Sequence, residues 1–182
     1  MNDEELDPVN VGSVVREIKQ LGRFALLDRD GCHYVFTEYF AIQLRESDAW
    51  KIQCKLEVKS RGKWYMKDTH DWQEAPNQGN TEKMLEKFLS MISQADQSGE
   101  ETTPTGVAIE TYEDAYVGGV LYVGQSGFTC VRSNYLTMLP DRKIVTRVGD
   151  MAVVNRMAVL TLTQDEVWSK NPWIMNYKGG ES

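Results

Sequence analysis

Hydrophobic and polar residues alternate over residues 51–59, and this is the most regular pattern in the chain. Apolar side chains occupy every second position there, namely Ile52, Cys54, Leu56 and Val58. Successive side chains of a β-strand point to opposite faces of a sheet, so a period of two indicates an extended segment with one buried face. We therefore predict a β-strand over residues 51–59.

Two other stretches show the spacing of a helix with one buried face. Over residues 11–21 apolar side chains recur every three or four positions, Asn10 or Ser13 can cap the start, and Gly22 suits the left-handed residue after the end. A second stripe of this kind spans residues 81–95. The sequence therefore predicts two main helices, both in the N-terminal half.

Shorter apolar stretches, separated by turn residues, predict the remaining strands. Asp30-Gly31 is a hairpin signal between strands at 23–28 and 32–37, and a turn is predicted at 46–48. Later strands are predicted at 63–67, 107–112, 116–123, 128–132, 143–148 and 151–163. This order predicts an α+β fold, in which a mixed or antiparallel sheet with the two helices precedes a mostly antiparallel β meander.

Polar stretches suggest how the 182 residues are divided. Residues 1–9 have the composition of a flexible acidic tail, 68–80 that of a loop, and 97–105 that of a linker. Between the tail and the linker, residues 10–96 are predicted to form an α/β half, and residues 106–182 form a β-rich half. The two halves are either separate units or parts of one continuous domain.

Charge and cysteine content narrow the classes of function. The net charge of −7 disfavours a nucleic-acid coat protein or a membrane-surface protein and favours a cytoplasmic location. No apolar run reaches the ~18–20 residues of a membrane-spanning helix, so no membrane partner is expected. The three cysteines form no CxxC pair, which predicts free thiols without a zinc site, and no cofactor is expected.

The charge is distributed unevenly along the chain. Residues 45–67 contain seven bases and three acids, with Trp50 and Trp64 among them. Bases combined with aromatic residues are typical of a groove for single-stranded nucleic acid, although lysine-rich exposed strands are also common without any ligand. The candidate binding residues in this region are Lys51, Lys55, Arg61 and Lys63.

Residues 88–131 contain six acids and no base. Such a segment can face a basic surface on a partner protein, where complementary charge speeds association and sets specificity. The alternative is a solvated loop followed by an exposed strand face. The candidate partner-binding acids are Glu100, Glu101, Glu113 and Asp114.

Glu57-Val58-Lys59 carries the one arrangement with catalytic potential. An acid and a lysine two residues apart on a strand resemble the catalytic strand of the PD-(D/E)xK nuclease superfamily. The resemblance implies that Glu57 would hold Mg²⁺ or Mn²⁺ and that Lys59 would orient the attacking water. It also implies that Glu17 would be an acid on the first helix and that Asp28 or Asp48 would be the second metal ligand. The alternative is a solvated strand face with paired charges.

Two classes of function follow from these patterns. The first is a non-enzymatic protein that binds another macromolecule, as an inhibitor or accessory factor of a nucleic-acid-handling enzyme. Small proteins of phages and mobile elements include such factors. The second is a metal-dependent nuclease built around Glu57 and Lys59.

Overall fold

The computed structural model describes residues 6–69, 71–75, 80–110 and 118–162. In these ranges the chain forms four helices and eleven strands, and the strands join into one sheet whose neighbours all run antiparallel. The predicted mixture of helices and strands is confirmed. The predicted fold had two main helices and then a β meander, whereas a single sheet of eleven strands dominates the structure.

The elements and their order define the architecture. The helices are α1 (Val11–Leu21), α2 (Glu46–Leu56), α3 (Thr81–Ser98) and α4 (Ser133–Leu136). The strands are β1 (Arg23–Arg29), β2 (Cys32–Phe36), β3 (Phe40–Leu44), β4 (Lys63–Asp68), β5 (Asp71–Glu74), β6 (Glu100–Glu110), β7 (Gly118–Gly124), β8 (Gly127–Arg132), β9 (Val145–Val148), β10 (Met151–Val154) and β11 (Ala158–Thr161). Across the sheet they follow the order β5-β4-β1-β2-β3-β11-β10-β9-β6-β7-β8. Because β3 pairs with β11, strands from both halves of the chain share this sheet.

Helices cover both faces of the sheet. On one face, Ile18 of α1 and Ile52 of α2 pack in the same apolar cluster as Phe24 of β1. On the other face, Phe88 of α3 makes an edge-to-face contact with Phe36 of β2. Alternating residues of the strands therefore supply two separate cores, and the surface of α1 and α2 lies on the opposite side of the sheet from α3.

The local signals for α1 and for the first hairpin are confirmed. Asn10 Oδ1 accepts a hydrogen bond from the backbone N–H of Ser13 at 3.1 Å, which caps the helix. Gly22 adopts φ 69° after its last turn. Asp30 and Gly31 have φ of 51° and 75°, as the two central residues of a tight hairpin turn require.

The strand predicted at 51–59 is wrong. Its first six residues are the end of α2, and Glu57 terminates that helix in the left-handed conformation with φ 57°. Ile52 and Leu56 are buried and four positions apart, a separation that fits a helical stripe as well as an alternating strand. Ala49 is also buried and extends the helical stripe toward the N-terminus.

The turn predicted at 46–48 is wrong for a related reason. Glu46 and Asp48 lie in the first turn of α2, where negative charge interacts favourably with the unpaired N–H groups of the helix. The Asp48 carboxylate is buried and accepts a hydrogen bond from the backbone N–H of Val9 at 3.3 Å. Acidic residues that resemble a turn in the sequence therefore begin a helix and hold the N-terminal segment.

Three polar stretches are more ordered than their composition predicts. Within the linker-like stretch 97–105, residues 97–98 end α3 and residues 100–105 begin β6. The predicted loop at 68–80 contains β5. In the predicted tail, residues 1–5 lie outside the described residues, whereas Leu6 and Val9 are buried in the core. Among the described residues, no helix is long and apolar enough to cross a bilayer.

Candidate functional site

A cleft of about 470 Å³ lies where α1 and α2 end, next to the edge of the sheet formed by β5. Four lysines line it, and they are Lys19, Lys55, Lys59 and Lys67. The other lining residues are Leu56, Glu57, Asp71 and Trp72. We call this site the lysine cleft.

Backbone contacts between α1 and β4 bring two of the lysines to the cleft. Gly22 ends α1, and its carbonyl oxygen accepts a hydrogen bond from the backbone N–H of Lys67 at 2.9 Å. A single glycine connects α1 to β1, in a left-handed conformation that glycine adopts without strain. Lys19, in the last turn of α1, and Lys67, on β4, consequently line the same cleft.

Side-chain hydrogen bonds hold the loop that carries Lys59. The Gln53 amide donates to the carbonyl oxygen of Val58 at 3.2 Å and accepts from Nε of Arg61 at 2.8 Å. The Tyr65 hydroxyl donates to the carbonyl oxygen of Ser60 at 2.8 Å. These bonds on both sides of Lys59 fix the backbone from which its side chain enters the cleft.

Trp72 forms the aromatic wall of the cleft. It lies on the edge strand β5, directly opposite Lys67 in the antiparallel pair of β4 and β5. The indole is half-buried and makes an edge-to-face contact with Phe24, with ring centroids 4.8 Å apart. Because Phe24 belongs to the core, this contact anchors the indole beside the lysines.

The cleft carries an excess of positive charge. All four of its lysines are exposed, and none of them forms an ion pair within the described part of the chain. Lys19 and Lys55 lie in the last turns of α1 and α2, where the partial negative charge of a helix C-terminus stabilises them. Lys59 and Lys67 lie outside the helices and have no such compensation.

The basic residues predicted for binding are only partly brought together. Lys55 lines the cleft. Lys63 pairs with Glu74 across β4 and β5 at 2.5 Å, and the hydrogen bond to Glu74 raises the pKa of Lys63. Lys51 pairs with Asp48 at 3.3 Å, and Arg61 pairs with Asp28 at 2.9 Å.

The acidic residues predicted for partner binding do not form one described surface. Glu100 Oε1 accepts a hydrogen bond from the backbone N–H of Ser126 at 2.7 Å, and hydrogen bonding to Ser126 lowers the pKa of Glu100. Glu101 lines a separate groove of about 460 Å³, together with Arg142 and Arg156. Glu113 and Asp114 lie outside the described residues.

The residues assigned by resemblance to a nuclease occupy different environments. Glu57 and Lys59 line the lysine cleft, but they follow a helix and do not share a strand. Asp28 accepts hydrogen bonds from Arg61 and lies 2.7 Å from Nδ1 of His33. Glu17 is buried in α1. Among the described residues, no group of three His, Cys, Asp or Glu side chains is arranged to hold a metal ion.

Several residues of the cleft, including Lys19 and Trp72, were not among the sequence-based candidates. Lys19 belongs to a helix 36 positions before Lys55, and only its place in the last turn of α1 distinguishes it in the sequence. Trp72 was part of a predicted loop. A tryptophan between polar neighbours at 71 and 73 is the one signal that indicates a strand there.

No protein-family model, no curated protein and no solved structure matches this chain.

Proposed function

We propose that this protein binds the phosphate backbone of a nucleic acid in the lysine cleft and acts there as an accessory factor of a nucleic-acid-handling enzyme. One observation carries the proposal. Four exposed lysines without ion-pair partners in the described chain surround a cleft that also contains Trp72. Binding without catalysis is the simplest activity of such a site.

Phosphate is the ligand chemistry that this arrangement favours. Ammonium groups that converge on one cleft repel one another, and a bound polyanion relieves that repulsion. A nucleic acid also releases condensed counterions when lysines neutralise its phosphates, which contributes a large part of its binding free energy. The indole of Trp72 adds a surface on which a base can stack.

The net charge of −7 supports a confined binding site. A mostly negative surface repels a polyanion except where positive charge is concentrated, so the ligand is steered to the lysine cleft. The acidic remainder, including the exposed Glu101, complements the basic surface that an enzyme acting on nucleic acid presents. One protein can thus contact both the nucleic acid and the enzyme.

Metal-dependent cleavage is the second candidate function. It is favoured by the presence of Glu57, Lys59 and Asp71 in the same cleft, because two carboxylates and a lysine are the groups that such chemistry uses. We place binding first because the described residues include no cluster of three metal-ligating side chains. Cleavage of DNA or RNA in Mg²⁺ or Mn²⁺ that disappears in Glu57→Gln would reverse this order.

Fluorescence anisotropy with labelled oligonucleotides at low salt tests the proposal. The double variant Lys59→Glu/Lys67→Glu places two acids in the cleft and should abolish binding. The matched control is Lys83→Glu, because Lys83 is an exposed lysine of α3, on the opposite side of the sheet. Equal affinity of the double variant and the wild type would refute the lysine cleft as the binding site.

A further inference from the structure

A second hollow lies beside the N-terminal half of α2. Its volume is about 340 Å³, and it is lined by Glu46, Ser47, Trp50, Lys51 and Arg61. Trp50 is 63% exposed, more than any other large hydrophobic residue in the described chain. An exposed indole beside two basic residues has the composition of a nucleotide subsite.

Arg61 is held in position as a donor in this hollow. Its Nη1 donates to the Asp28 carboxylate at 2.9 Å, and its Nε donates to Oε1 of Gln53 at 2.8 Å. Nη2 makes no hydrogen bond within the described part of the chain. The two hydrogen bonds fix the guanidinium of Arg61 and leave its Nη2 to donate to a phosphate oxygen. Because the side chain is already fixed, it loses little conformational entropy when a phosphate binds.

The hollow and the lysine cleft are joined along α2. Lys51 lines the hollow and Lys55 lines the cleft, one helical turn apart. Side chains four positions apart on a helix have Cβ atoms about 6 Å from each other. From Trp50 to Leu56 the helix rises by about 9 Å, a distance that a few nucleotides span.

We infer that the ligand is single-stranded and runs along α2 from the lysine cleft to the hollow at Trp50. This inference rests on the proposed function. Trp72 and Trp50 lie at the two ends of the path, and Lys55 and Lys51 lie between them. An indole stacks only on a base whose face is uncovered, and in a duplex the bases cover one another. The two tryptophans therefore select an unpaired strand.

The test compares Trp50→Ala with wild type in anisotropy titrations. An oligonucleotide of about twelve nucleotides covers both subsites. Loss of one stacked base should weaken its binding about 5- to 160-fold. The matched control is Leu89→Ala on α3, which removes another exposed apolar side chain and should leave the affinity unchanged.

Competitors separate this inference from the proposed function. A duplex of the same sequence, or a polyglutamate peptide of equal charge, should compete at least tenfold less well than the single strand. If Lys59→Glu/Lys67→Glu abolishes binding but Trp50→Ala does not weaken it, the path along α2 is wrong and the cleft remains the binding site. Equal competition by the duplex or the peptide also overturns the single-strand assignment. If the wild type binds no oligonucleotide, the proposed function itself fails.

Discussion

The salt dependence of binding depends directly on the number of lysines in the cleft. Each lysine that neutralises a phosphate of a single strand contributes about −0.7 to the slope of log K against log salt concentration. The four lysines of the cleft therefore contribute about −2.8. Raising the salt from about 50 to about 200 mM should reduce affinity about 50-fold through this term alone.

Lys67→Gln removes one of these charges from an exposed position on β4 and should leave the fold intact. The slope should become smaller in magnitude by about 0.7, and the cleft's share of the salt effect should fall to about 20-fold. Lys83→Gln on α3 is the control and should retain the wild-type slope. The assay is a set of anisotropy titrations at several salt concentrations, with the strand of about twelve nucleotides. An unchanged slope in Lys67→Gln would refute the assignment of phosphate contacts to the lysine cleft.

Three further predictions test the packing and electrostatics of the same fold. Glu57 adopts φ 57°, a left-handed conformation that is strained for any residue with a Cβ atom. Glu57→Gly should therefore raise the free energy of unfolding by about 0.5–1 kcal/mol in urea titrations. A variant less stable than the wild type would contradict this reasoning. Phe88→Ala should lower the free energy of unfolding by about 3–5 kcal/mol because Phe88 is buried against the sheet. Its neighbour Leu89 is 49% exposed, so Leu89→Ala should lower the free energy of unfolding by less than about 0.5 kcal/mol. Burial raises the pKa of Glu17 above 4.5, against the smaller opposing effect of Arg16, so the native state binds this proton more tightly than the unfolded chain. The free energy of unfolding should therefore fall as the pH rises from about 4.5 through the raised pKa of Glu17. Glu17→Gln should remove this part of the pH dependence. If the free energies of unfolding of variant and wild type differ by the same amount at every pH, the prediction is wrong.

Elements whose signals are local were predicted correctly. Asn10 and Gly22 mark the two ends of α1, and Asp30-Gly31 marks the turn of the first hairpin. In each case one or two residues decide the backbone conformation through a side-chain hydrogen bond or a positive φ. Neighbouring sequence is sufficient for such elements because the interactions lie within a few residues.

Elements that depend on distant partners were predicted less well. The first part of β6 is polar, yet Thr102 is buried and its hydroxyl donates to the carbonyl oxygen of Val145 at 2.8 Å. Its backbone pairs with β9, about 40 residues later in the chain. A polar stretch becomes a strand here because a neighbouring strand supplies hydrogen bonds, and composition does not reveal that neighbour.

The candidate site shows the same division. The sequence identified the basic region 45–67 and placed Lys55, Glu57 and Lys59 among the candidates. It did not connect them with Lys19 or Trp72, which reach the cleft from α1 and β5. It also proposed Lys51, Arg61 and Lys63 for binding, and all three are paired with acids.

The sequence by itself determined the α+β composition, the first helix and hairpin, and the local excess of lysine after residue 45. Tertiary structure decided that residues 51–56 are helical: Ala49, Ile52 and Leu56 pack in the core as a helical stripe, whereas Cys54, which an alternating strand would bury with them, is exposed. It also decided which lysines meet. A charge pattern records how many lysines are close in sequence, whereas a binding site requires lysines that are close in space, and here the ends of α1, α2 and the β4–β5 hairpin bring them there.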